Sequence, residues 1–182
     1  MINKMPGLGE DKFSNLKAGY TFMLGHPGKK LLFMGQDFGQ WHEWDEKVSL
    51  DWYLAEEESH KKLQEYVRDL LHIYKKYPCL YQLDNDWNGF QWINANDGDR
   101  SIFSFTGKKN LLFVVNFTPV DRPDYRVGVP KRCKLSLLLD NVHGAYKPSQ
   151  CPTYTSVKSE CDGQPYSISY PLGGYGTAIF RF

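Results

Sequence analysis

The sequence predicts an α+β fold: the incomplete end of a (β/α)8 barrel, present as one helix–strand–helix unit, followed by an antiparallel all-β sandwich. Three observations predict it. Two stretches before residue 80 place apolar residues at helical spacing, a continuous apolar run from Leu31 to Met34 lies between them, and short alternating segments divided by turn-rich stretches follow Pro78.

The first helix is expected over residues 10 to 24, where Phe13, Leu16, Tyr20, Met23 and Leu24 share one face. Gly25 and Pro27 close it. Leu31 to Met34 is apolar on consecutive residues, as in a strand buried on both faces of a parallel sheet. Gln36 to about Glu56 then forms a loop rich in amides, acids and tryptophans, and loops at this end of barrel strands carry ligand chemistry. A second helix begins near Ser59, a candidate N-cap, with Leu63, Val67, Leu70, Leu71 and Tyr74 as its inward stripe and Pro78 as its stop. One strand and two helices cannot close a barrel by themselves, so this part is expected either to pack against the sandwich as a helical appendage or to be a piece of something longer.

Beyond Pro78, strands are expected at Gly89 to Ile93, Ser101 to Phe105, Asn110 to Phe117, Arg126 to Val129, Lys134 to Leu139, Tyr166 to Tyr170 and Thr177 to Phe182. Thr106 to Asn110 reads as a hairpin loop, and Asn141 to Gly163 as a long irregular excursion. The boundary falls near residue 80, giving a barrel-like part over 1–80 and a sandwich over 81–182.

A chain of 182 residues that is 41% hydrophobic and 15% aromatic can build a sizeable core. Twenty-two basic against 21 acidic residues, with no long run of either sign, argues against a nucleic-acid partner or an acidic membrane surface. No apolar stretch approaches the roughly 20 residues that span a bilayer, and no signal-peptide core opens the chain, so a cytoplasmic location is expected. Cys79, Cys133, Cys151 and Cys161 lack any CxxC spacing and read as free thiols, and the five histidines show no metal-ligand spacing. Asp84 to Gly89 imitates the start of a calcium loop, but Ala95 stands where that loop needs a bidentate glutamate, so a turn is expected there. No cofactor or metal site is expected.

KMPG (Lys4 to Gly7), HPGKKLLFMG (His26 to Gly35), the DFGQWHEW that continues it, LDW (Leu50 to Trp52), WINANDGDRS (Trp92 to Ser101), VVNFTPV (Val114 to Val120) and YRVGVP (Tyr125 to Pro130) resemble the 1,4-α-glucan branching enzymes of the α-amylase superfamily. Their order and spacing are similar to the C-terminal portion of the bacterial enzymes, which make the α-1,6 branches of glycogen. The resemblance implies α-glucan as substrate and the upstream barrel region of the same enzyme as partner. It also implies that the nucleophile, the acid–base and a second aspartate all lie upstream of Lys4, so no catalytic residue is expected here. The chain departs from the common family pattern FMGGEFGQ, with Gln36 in place of Gly and Asp37 in place of Glu.

Asp37, Gln40, Trp41 and Trp44 are the candidate substrate-binding residues: tryptophans stack on the apolar faces of sugars while carboxylates and amides take hydroxyls. The alternative is that Trp41 and Trp44 pack the loop and Asp37 caps a turn. Trp87, Phe90 and Trp92 could form a sugar-stacking platform, but aromatics at alternating strand positions more often fill sandwiches. Two other functions compete: a non-catalytic glucan-binding module and a purely structural sandwich. If the chain is part of a barrel, Phe13, Leu16, Leu31 and Leu32 should be partly uncovered or cover one another.

Overall fold

The computed structural model describes residues 1–107 and 110–182, so the middle of the expected Thr106 to Asn110 loop lies outside the described residues. Two helices, α1 (Glu10–Gly25) and α2 (Glu58–Lys76), precede all the strands. The strands are β1 (Phe90–Asp97), β2 (Ile102–Gly107), β3 (Leu111–Asn116), β4 (Arg122–Val129), β5 (Lys134–Asp140), β6 (Gly144–Ala145), β7 (Thr153–Thr155), β8 (Tyr166–Leu172) and β9 (Thr177–Arg181). Every pairing among the described residues is antiparallel. The large sheet runs β1-β2-β3-β9-β5-β6, with β7 also on β5, and β4 pairs β8 in a second sheet.

The large sheet is covered on both faces, which is why all six residues of β3 are buried. Leu112 and Val114 face the small sheet, among Val127, Val129, Ile168 and Phe180. Leu111 and Phe113 point the other way, into a core shared with Phe13, Leu16, Leu63, Val67 and Leu70 of the helices. Each such fully buried side chain contributes about 1.5–3 kcal/mol. Gly25 ends α1 against this sheet: a Cβ there would lie 2.7 Å from Phe113 and 2.8 Å from Phe105, so only glycine lets the last turn rest on those rings.

The apolar run from Leu31 to Met34 is not a strand. Leu31 is 74% exposed, Phe33 and Met34 are exposed, and Leu32 is half-buried. A central strand needs ladder partners along both edges, and among the described residues every strand lies from Phe90 onward. The backbone instead closes on itself, with Gln36 N donating to Phe33 O and Gln40 N to Gly35 O. Phe13 and Leu16 are buried in the helix–sheet core, so the expected uncovering holds for Leu31 and, in part, Leu32.

Three smaller expectations also change. Ser59 is not the N-cap of α2; Glu57 precedes its first turn and Ser59 Oγ donates to Glu10 of α1. Leu71 is 39% exposed because the buried face runs through His60, Leu63, Tyr66, Val67, Leu70 and Ile73. The segment 141–163 is not wholly irregular, since β6 and β7 add to the β5 edge.

Candidate functional site

The loop between α1 and α2 is built around a closed segment from residue 40 to residue 51. Gln40 is buried, its Oε1 accepting from Asp51 N at 2.8 Å and its Nε2 donating to His42 O at 3.1 Å. His42 Nδ1 lies 2.8 Å from Asp51 Oδ2, a second tie across the same neck. Both ends of the Gln40 amide are thus spent inside the loop, where it serves as a latch.

Trp41 is half-buried. Its ring meets Phe13 edge-on at 5.8 Å and His60 edge-on at 5.3 Å, which fastens the loop to both helices. Its carbonyl accepts from Asn3 Nδ2 at 2.7 Å. Asp37 is half-buried too, and its Oδ2 accepts from Gln64 Nε2 of α2 at 3.1 Å.

Trp44 differs from these. It is 47% exposed, held edge-on by Phe33 at 5.1 Å, and lines a shallow cleft of about 240 Å³ with Gln40, His42, Glu43 and Lys4. The structure therefore brings Gln40 and Trp44 to one cleft, while Asp37 and Trp41 are engaged against the helices. At the rim Lys4 Nζ pairs with Glu43 Oε1 at 2.8 Å, raising the lysine pKa and lowering that of the carboxyl.

That lowering bears on catalysis. A glycosidic general acid needs a raised pKa and a partner carboxyl roughly 5–5.5 Å away. Glu43 is shifted the opposite way by Lys4, Asp37 is bound to Gln64, and Asp45 Oδ1 accepts from Lys47 N at 2.9 Å. No group of three His, Cys, Asp or Glu side chains able to hold a metal occurs among the described residues.

Tyr20, His60 and Gln64 also hold the loop, a contact that sequence reasoning did not foresee. Tyr20 Oη donates to Gln36 O at 2.7 Å, and His60 Nδ1 donates to Phe38 O at 2.7 Å. Only the i, i+4 spacing of His60 and Gln64 on one face of α2 could have signalled them.

On the sandwich, Trp87 is 95% exposed, so it does not fill a core. Asp86 Oδ1 accepts from Asn88 N at 2.8 Å, making the turn expected before β1. Phe90 and Trp92 meet edge-on at 5.0 Å and join Phe22 of α1 and His26, the residue after that helix, in an aromatic cluster between helix and sheet.

Residues 92–182 match the family Alpha amylase, C-terminal all-beta domain. The whole chain is 50% identical to a 1,4-alpha-glucan branching enzyme GlgB of Butyrivibrio fibrisolvens, covering 30% of that protein. Against the enzyme of the same name from Aquifex aeolicus, 72% of the chain aligns at 49% identity and covers 22% of it. The chain thus spans less than a third of the curated relatives it matches. An alpha-amylase from H. orenii superposes with a TM-score of 0.55 over 95% of this chain and 36% of its own, at 15% identity, a likeness of fold.

Proposed function

The chain belongs to the family of the alpha amylase C-terminal all-beta domain and matches, along its whole length, the C-terminal part of 1,4-alpha-glucan branching enzymes; from this we propose that it works as the C-terminal part of such an enzyme. The whole enzyme would cleave an α-1,4-glucan, hold the released segment as a glycosyl ester on a carboxylate, and pass it to a 6-hydroxyl. Its reactive carboxylates would belong to the upstream barrel region, and this chain alone would be inert. The observation that carries the reading is 50% identity over the full chain.

Within that enzyme, residues 1–80 would supply the last helix–strand–helix of the barrel, and residues 81–182 the sandwich that braces it. Leu31 to Met34 would become a strand once neighbours offer it ladder partners. Trp44 would stack on a sugar ring, which its exposure supports, and the second carboxylate oxygen of Asp37 would take a hydroxyl. Gln40 and Trp41 would hold the loop in shape. No helix among the described residues is long and apolar enough to cross a membrane.

Joining the chain to its upstream region and assaying α-1,6 linkages in amylose tests the proposal. Activity of the joined protein supports it, and an intact, folded joined protein without activity refutes it. The exposure of Trp87 favours a second reading, glucan binding by the sandwich itself. Retention of the isolated chain on glycogen, lost in Trp87→Ala, would select it.

A further inference from the structure

Three consecutive loop residues are gripped by three helix side chains. Tyr20 of α1 donates to the carbonyl of Gln36 at 2.7 Å, Gln64 of α2 donates to the carboxylate of Asp37 at 3.1 Å, and His60 of α2 donates to the carbonyl of Phe38 at 2.7 Å. The next residue, Gly39, lies flat on α2: a Cβ there would stand 2.8 Å from Leu63 Cδ2.

Each grip has the chemistry of a fixed donor. The carbonyl partner of His60 requires the proton on Nδ1, and the ring is clamped edge-on between Phe13 at 4.9 Å and Trp41 at 5.3 Å. Burial, with the Asp37 carboxylate adding to it, pushes the Tyr20 phenol up, so it remains protonated and donating. Gln64 offers an uncharged N–H that orients one oxygen of Asp37 while leaving the other oxygen open.

We infer that Tyr20, His60 and Gln64 are positioning residues, which set the height and direction of the Gln36–Phe38 segment and thereby aim Asp37 at a glucan hydroxyl. This rests on the proposed glucan role of the loop. It adds that the aim is set from the helices that bear on the sandwich, not by the loop alone. A contact to a non-reacting part of the substrate acts on KM more than on kcat.

The test uses the full-length branching enzyme that carries this C-terminal part, with amylose as substrate. Gln64→Glu sets a second carboxylate against Asp37 on a half-buried helix position that tolerates it. KM should rise about fivefold with kcat held within about twofold. Because two facing carboxyls share a proton more readily in acid, that KM should fall back as pH drops from about 7 to about 5. His60→Ala should raise KM in the same way. His60→Asn, whose amide N–H can occupy the place of Nδ1–H, should restore it. His72→Ala, on the exposed side of α2, should behave as the parent.

Unchanged KM in Gln64→Glu and His60→Ala, together with a raised KM in Trp44→Ala, would overturn the positioning role and leave the glucan loop standing. Unchanged KM in Trp44→Ala as well would remove the glucan loop, and the positioning role with it. A fall in kcat as large as the rise in KM, without acid recovery, would mark Gln64 as merely structural and would also overturn the inference.

Discussion

The phenolic oxygen of Tyr66 lies 2.8 Å from Oγ1 of Thr177, joining α2 to β9 at a point fully shielded from water. Its other neighbour is Thr21 Oγ1 of α1 at 2.7 Å, which in turn donates to Lys17 O. With one proton per hydroxyl, the chain of donation runs from Thr177 to Tyr66 to Thr21 to the carbonyl. Helices and sandwich are thus fastened through one satisfied polar thread inside an apolar core.

Tyr66→Phe leaves the Thr177 hydroxyl buried with no partner, and should destabilise the chain by about 1–3 kcal/mol. Adding Thr177→Val removes the stranded group and should recover much of that loss. Urea unfolding of the two variants checks the order. A double variant no more stable than Tyr66→Phe would contradict it.

Burial raises the pKa of Tyr20, Tyr66, Tyr125 and Tyr170 above the ordinary value. The unfolded chain gives up these protons near pH 10, while the folded chain retains them. Their stabilising contribution is therefore intact below that pH and declines above it, each group costing up to about 1.4 kcal/mol per pH unit. Phenolate absorbance should rise for only part of the 12 tyrosines until the fold itself is lost.

Trp41 and Trp44 should separate cleanly. Trp41 packs on Phe13 and His60, and Trp41→Ala should cost about 2 kcal/mol in unfolding free energy. Trp44 is nearly half exposed, and Trp44→Ala should cost under about 0.5 kcal/mol. In the full enzyme that second substitution should weaken binding to maltooligosaccharides, read by affinity electrophoresis.

Gln40 closes its loop from within. Gln40→Leu would leave the backbone N–H of Asp51 without its acceptor, at a cost of about 1–2 kcal/mol, and loosen the segment between them. Trypsin should then cut after the exposed Lys47 faster than in the parent, by mass spectrometry of a time course.

Much of this architecture is legible in the sequence because it depends on local period. α1 and seven strands follow from spacing of 3.6 or 2, and the polar loop after Gly35 follows from its composition. What escapes depends on partners. Leu31 to Met34 has the composition of a buried strand, yet burial requires neighbouring strands, and the described residues hold none beside it. β6 and β7, two and three residues long, are too short to show a period. Leu71 misleads because the buried stripe of α2 runs from Leu70 to Ile73, three residues on, and leaves Leu71 outside its edge. In the loop, residue type signalled a polar site, but not that the Gln40 amide is consumed internally or that Asp37 answers to Gln64.

Under the proposed function, the reactive acids of the whole enzyme lie outside these residues. The direct measurement is to incubate the purified chain with amylose, treat the product with a debranching enzyme, and count newly released reducing ends. No ends above an untreated control are expected at any concentration of the chain. Release that grows with time and with the amount of chain would contradict it.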